Sequence, residues 1–456
     1  MKIFIFSFFL LFLTASAFGK TLSEIYEIAL EEDPQLKIAE ATFRANKEIK
    51  EQTLAGLLPS ITTSASTTWN SSFIDNNKTD EYNSFGYSLR LSQPIIRVDR
   101  WFQFASGKAL TESAAAQFLL SQQQMIFRVA QAYFGLLKAQ NNLETAVSEE
   151  RALKKQLDRA KRLFEENISP ITDFQETQAF YDLSRVSRIA SEGQLEVARE
   201  ILIALVNEAP EISDLLDYPF GKVLVDDQDE WVRIGLVNSN VLKTAKLSER
   251  AAQNNAKASI GGHIPNIDLV GTLNSSTSYQ GRFGGFIENP LLGLETESNN
   301  YSIQFSWPLV AGGIAHSKRR EAYANYDKAK EQTKFTTRSV IQDIKSKHSS
   351  LLTAKANVQA REQAFKSAES ALIATEYGFE ANTRNIIDLL NAQRNVFAAE
   401  RDYASAKYDF ILSDFGLKLS AGTLSPQDLY NLDEFMNYSC LNYQKLKLRS
   451  ELSNLN

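Results

Sequence analysis

Three histidines, one cysteine and one glycine-rich run are the groups in this chain suited to metal, nucleophilic or phosphate chemistry. His263, His316 and His348 fall in different predicted elements, with no spacing that suits a metal site or a catalytic triad. His348 lies on the core side of a predicted helix, where an imidazole reads as packing rather than as a ligand. Cys440 stands alone, so no intrachain disulfide forms. The run GRFGGF at 281–286 neither follows a predicted strand nor opens a helix, as a nucleotide-binding fingerprint must. Carboxylates pair along the helices, but a solvated charged face accounts for them. The sequence predicts no enzyme, no cofactor and no metal. Function must be sought in how the chain is built.

The N-terminus sets the compartment. Lys2, an apolar run from Ile3 to Leu13, and small residues at Ala15, Ala17 and Gly19 read as a secretory signal peptide over 1–19. Its apolar core is shorter than the roughly 20 residues a membrane helix needs, and no later stretch reaches that length. No cysteine follows it for lipid attachment. A formal net charge of −6 weighs against nucleic acid, which calls for a basic face.

An internal duplication decides the architecture. Residues 28–61 recur over 234–267 without a gap, matching Ile28/Ile234, Leu36/Leu242, Arg44/Arg250, Gly56/Gly262 and Pro59/Pro265. The offset of 206 grows to 214 at Tyr87/Tyr301 and Pro94/Pro308, then to 215 at Leu136/Leu351, Phe164/Phe379, Asn167/Asn382 and Asp173/Asp388. Each copy reads helix, strand, strand, long helix, helix. The expected organisation is a first repeat over 20–218, a linker over 219–230, a second repeat over 231–430 and a loose tail over 431–456.

Helical spacing over 21–57, with Ser23, Asp33 and Pro34 as start signals, gives way to period two. Ile61, Thr63, Ala65, Thr67 and Trp69 share one face of a predicted strand; Phe85, Tyr87, Leu89 and Leu91 share one face of the next. Ile267, Leu269, Gly271 and Leu273, then Tyr301, Ile303, Phe305 and Trp307, repeat the pattern. One such strand alone would fit a soluble hairpin. Four in an exported chain fit tilted membrane strands. Asn, Ser and Gly fill the predicted loops at 70–83 and 274–300. Pro59, Pro94, Pro265 and Pro308 bracket the hairpins, each where helix hands over to strand or strand to helix.

Predicted helices over 100–166 and 314–380 follow, each long enough to span roughly 100 Å. Ile344, Leu351, Val358, Phe365, Leu372 and Phe379 recur every seven residues, as do Val129, Leu136, Leu143, Leu157 and Phe164, broken at Glu150. Strict sevens predict a left-handed supercoil against partner helices. The helices end at ENISPITD (166–173) and EANTRNIID (380–388), where Ser169 is the expected cap and Pro170 the first residue of the returning helix. Return helices are predicted to about 206 and 420.

A sheet in lipid tolerates no edge, and single-chain membrane barrels start at about eight strands. One chain supplies four. Two chains would give a barrel filled by side chains, three a twelve-stranded barrel with a lumen. The trimer suits the small, polar opposite face (Ser, Thr, Gly, Gln, Arg90, Asp268).

With the duplication, QPII at 93–96, WPLVAGG at 307–313 and the turns continuing as ITDFQETQAFYD and IIDLLNAQ, the chain resembles the TolC family of outer-membrane channel proteins. The resemblance runs from Ser23 to the SAGTLSPQDL stretch at 420–429. It implies an α+β membrane protein. A trimer forms a long α-helical coiled-coil barrel continuous with a twelve-stranded transmembrane β-barrel, located in the bacterial outer membrane and extending into the periplasm. It implies export of small toxic compounds, drugs or type I secreted proteins. Its partners would be a periplasmic adaptor and an inner-membrane ABC or proton-driven exporter. By position, the resemblance makes Arg384 bond toward Thr172 and Asp173 in a periplasmic gate, and places Asp388 in an acidic ring at the constriction. Phe379 stands where a gate tyrosine is typical, and Asn391 where a second acidic ring lies. Apart from the family, Arg and Asp near a helix turn read as solvated capping groups. The rival to the channel is a non-conducting, periplasm-spanning coiled-coil spacer or adaptor; a third reading is a receptor using loop 274–300.

Overall fold

The computed structural model describes residues 20–74, 77–213, 227–278, 294–381 and 383–434. The expected signal peptide over 1–19, most of the expected 219–230 linker, the GRFGGF run in the 274–300 stretch, and the tail from 435 with Cys440 lie outside the described residues. The elements are α1 (Leu22–Glu32), α2 (Pro34–Ala55), β1 (Ser60–Ile74), β2 (Asn77–Ile96), α3 (Val98–Glu165) and α4 (Ile171–Val206), followed by α5 (Gln228–Asn238), α6 (Asn240–Ala258), a 3-10 turn (Ser259–His263), β3 (Asn266–Ser278), β4 (Leu294–Ser306), α7 (Ile314–Glu380) and α8 (Ile386–Ala421). The order runs twice through two helices, two strands, a helix of 68 or 67 residues and one of 36. Two compact units draw on both copies: Met1–Glu40, Phe118–Asn240 and Thr337–Asn456 in one, Ala41–Gln117 and Val241–Thr336 in the other.

The second unit carries the sheet. Its four strands are antiparallel in the order β1-β2-β3-β4, so the central β2–β3 pairing joins the two copies. Register aligns Ile61 with Leu91, Leu91 with Gly271, and Gly271 with Tyr301, one apolar row across all four strands. Period-two geometry puts Phe85, Tyr87, Leu89, Leu269, Ile303 and Phe305 on that same face. It is open: Ile61 and Trp69 are 68% exposed, Tyr301 76% and Ile303 75%. The opposite face is polar, with hydroxyl of Ser64 bonded to that of Ser88 at 2.8 Å and Asn274 donating to Ser298 at 3.4 Å.

Residues 70–74 and 77–83, expected in a loop, continue the ladder as Asn70–Tyr82, Ser71–Glu81 and Ile74–Asn77 pairs, and 274–278 pairs with 294–298. Loop composition misled here because ladder bonds come from the main chain and do not depend on side-chain type. Pro59 and Pro265 directly precede β1 and β3, and Pro308 follows the end of β4. Pro94 sits two residues before the end of β2, where the register against β3 shifts between Pro94 and Ile96. A bulge accommodates a residue with no N–H to give the ladder. Below the strands, Gly107 of α3 lets α2 approach closely, since a Cβ there would lie 2.2 Å from the Thr53 hydroxyl.

In the first unit, the helical stretch over 21–57 restarts at the Asp33–Pro34 start signal: Asp33 closes α1, and its carboxylate accepts the Gln35 N–H at the start of α2. The α1 cap is Thr21 rather than Ser23: Thr21 and Glu24 form a reciprocal capping box. The core gathers Tyr133, Phe134, Phe410, Leu202 and Ile25, all essentially buried. Tyr133 donates to the Ser213 carbonyl at 2.6 Å, and Phe134 stacks on Tyr408 at 5.8 Å. Heptad residues Val129, Leu136, Leu157, Ile344, Leu351 and Val358 are buried, whereas Leu143, Phe365, Leu372 and Phe379 are half-buried and Phe164 is exposed. The break at Glu150 is explained by an ion pair: Arg188 of α4 donates to it at 2.5 Å. No helix among the described residues is long and apolar enough to cross a membrane.

Candidate functional site

The residues singled out near 166–173 and 379–391 gather at the turns joining α3 to α4 and α7 to α8, within the first unit. At the first turn Asn167 adopts a left-handed backbone (φ 58°), and the Leu163 carbonyl accepts N–H bonds from Ile168 and Ser169 at 2.8 and 3.3 Å. The cap of α4 is Pro170, with no side-chain bond, and the Ser169 hydroxyl is buried without a partner. The expected Ser169 cap does not form because the chain turns one residue later, with proline's fixed φ setting the extended geometry. Thr177, one turn into α4, donates back to the Asp173 carbonyl at 2.7 Å. Phe164 and Phe174 stack across the turn at 6.2 Å.

At the second turn the Gly378 carbonyl accepts from Thr383 and Arg384 N–H groups at 2.8 and 3.1 Å, and from the Thr383 hydroxyl at 2.9 Å. Asn385 caps α8, its side-chain oxygen accepting the Asp388 N–H at 2.8 Å. A carboxylate in the first turn also suits the positive end of the helix.

Arg384 pairs with Asp388, Nη1 to Oδ2 at 3.7 Å, across one helical turn. The bond from Arg384 toward Thr172 and Asp173 is not made within one chain. Arg384 lies in the turn just ahead of the Asn385 cap, where it can reach the Asp388 carboxylate in the first turn of α8. Both partners of this pair face solvent, so it contributes little alone. Phe379 packs against Leu153, Ile386, Leu389 and Leu390, and the Arg159 guanidinium lies 5.3 Å from its ring centre. Its apolar ring closes the inside of the turn, where a hydroxyl would need a partner. Asn391 is half-buried one turn beyond Asp388.

The structure also joins what spacing had kept apart. His263 and His316 meet in the second unit, ring to ring, although 53 positions separate them. Hairpin closure brings them together, and no local motif announces it. His348 is buried on α7, as its helical position implied. Among the described residues, no group of three or more His, Cys, Asp or Glu could hold a metal ion.

Known proteins give the same picture. The family model described as outer membrane efflux protein matches residues 25–208 and 231–423, one stretch for each copy of the duplication. The outer membrane protein TolC of Vibrio cholerae is 30% identical over 423 residues, spanning 92% of this chain and 95% of that one. The alkaline protease secretion protein AprF of Pseudomonas aeruginosa is 26% identical over 404 residues, 85% of this chain and 81% of that protein. Among solved structures, the Campylobacter jejuni CmeC outer membrane channel superposes with a TM-score of 0.74 at 15% identity, covering 92% of this chain and 89% of that one. With its duplicated helices, open-faced sheet and paired turns, the chain belongs to the outer membrane efflux protein family and serves as an export channel of the outer membrane that extends into the periplasm.

Proposed function

We propose that three copies close their sheets into one twelve-stranded barrel, continuous with a helical barrel, and that the turns at 166–171 and 380–386 gate its periplasmic end. The observation that carries this reading is the sheet. Among the described residues β1 pairs only with β2 and β4 only with β3, while one face is a field of exposed aromatic and aliphatic side chains. In hydrocarbon each unpaired backbone group costs several kcal/mol, so both edges must find strands on neighbouring copies. Three copies leave a lumen, and the polar face with Ser64, Ser88, Asn274 and Ser298 suits water there.

At the turns, Arg384 would exchange its exposed Asp388 partner for Thr172 or Asp173 of a neighbouring copy, locking the closed state. Three Asp388 carboxylates around the axis would favour cations in the open pore. Asn391, uncharged, would add no second ring of charge, and Phe379 would hold the turn by packing. The cargo would be drugs and toxic small molecules, or type I secreted proteins, a class suggested by the protease secretion named in AprF. A periplasmic adaptor and an inner-membrane ABC or proton-driven exporter would select cargo and open the turns.

Light scattering on detergent-purified protein, with planar-bilayer recording, tests the assembly. Three chains per particle and a small, cation-preferring resting conductance are expected. A single chain, soluble without surfactant and electrically silent, would favour the spacer reading instead.

A further inference from the structure

His263 ends the 3-10 turn leading into β3, and His316 lies in the first turn of α7, just beyond β4. Their rings meet edge to face with centroids 4.6 Å apart, and Nε2 of His263 lies 3.4 Å from Nδ1 of His316. We propose that this pair binds a divalent transition-metal cation of the Zn2+, Cu2+ or Ni2+ class. Two metal–nitrogen bonds of about 2.0–2.1 Å at a tetrahedral angle put the nitrogens about 3.4 Å apart, so the pair is already spaced for cis ligation. Imidazole ligands select these metals over Mg2+ or Ca2+.

Both backbones are fixed before any ion arrives. The His263 carbonyl accepts the Trp307 indole N–H at 3.2 Å, and Ile264 N–H bonds to the Gly261 carbonyl at 3.2 Å. On the other side, Ser317 N–H bonds to the Gly313 carbonyl at 3.0 Å, closing the first turn of α7. An ion held between the rings would tie the start of β3 to the start of α7, bracing both ends of the second hairpin.

The duplication supplies an internal control. At offsets of 206 and 214 the first copy carries Leu57 and Phe102, neither able to ligate. The fold shared by the copies therefore does not require imidazoles here. The first junction is braced otherwise: Arg97 clasps both carboxylate oxygens of Asp99 at 3.3 Å and reaches Asp268 at 3.4 Å.

With two protein ligands, water completes the coordination, which makes the site open and exchangeable rather than structural. Nδ1 of His263 is buried with no hydrogen-bond partner, so the ring lacks the outer-shell acceptor that tight sites provide. A modest affinity is expected.

The test uses untagged, detergent-purified protein, titrated with Zn2+ by calorimetry and with Cu2+ by electron paramagnetic resonance. One ion per chain, a two-nitrogen copper signal, and loss of at least about tenfold in affinity for both His316→Ala and His263→Gln are expected. His348→Gln should bind as the parent does. Because His316 is exposed, His316→Ala should fold normally, and Zn2+ should raise the thermal midpoint of the parent but not of this variant. Equal binding by parent and His316→Ala, or no binding by the parent, would overturn the site and leave an imidazole–imidazole hydrogen bond.

Discussion

At the turn after α3 the Leu163 carbonyl accepts from the amides of residues 168 and 169; at the turn after α7 the Gly378 carbonyl accepts from those of 383 and 384. The two carbonyls are equivalent at an offset of 215, so duplication has preserved the backbone closure bond for bond. The side chains have diverged. The first turn is finished by Pro170, a Phe164–Phe174 stack, and exposed Ile168 and Ile171. The second is finished by the Asn385 cap and the Arg384–Asp388 ion pair, while Ile386, equivalent to Ile171, is buried. Closure of a helical turn is thus a main-chain property that tolerates sequence change. Charge and exposure at its tip are free to be put to use, and only the second turn carries a paired cation and anion.

Experiments can break or sharpen that contrast. The largest effect is expected from Arg384→Ala. If each of three chains loses a surface-type bond of about 0.5 kcal/mol, the closed state weakens by about 1.5 kcal/mol, and resting conductance in bilayers rises about tenfold. A variant as tightly closed as the parent would place the lock elsewhere. Asp388→Asn should lower the cation-to-anion permeability ratio a few-fold, with Asp173→Asn, its counterpart at the first turn, giving the smaller change. Equal reversal potentials for the two variants would erase the functional difference between the turns. Asn385→Ala removes a side-chain cap and should cost about 1 kcal/mol by denaturant titration, whereas Pro170→Ala, with no cap bond to lose, should cost less. The smallest shift is expected for Ser169→Ala. Removing a buried hydroxyl that has no partner should be neutral or stabilise by up to about 1 kcal/mol, and a clear loss of stability would mean that the hydroxyl is bonded in solution.

Much of this molecule was legible along the chain because it rests on periodicity. Sevens placed Ile344, Leu351 and Val358 in a buried seam; twos placed Tyr301 and Ile303 on an open apolar face. Other features had no local signal. Glu150 looked like a flaw in the heptads until Arg188, on another helix, was seen to bond to it. Asn- and Ser-rich stretches at 70–83 read as loop, although a pairing partner was enough to make them strand. For the proposed gate, the sequence offered candidate residues only through family resemblance. The structure adds that Arg384 in a single chain turns to Asp388.

By itself, the sequence determined what depends on order along one chain: two copies, the strand faces, the long helices and the turns that end them. Hydrophobic period and proline position act locally, so they can be read without coordinates. Tertiary structure alone decided what depends on closing a loop. It set β2 beside β3 to join the copies, gave Glu150 its arginine, and brought His263 to His316. Such pairings follow from strand register and helix packing summed over many residues, and no short stretch of sequence contains that sum.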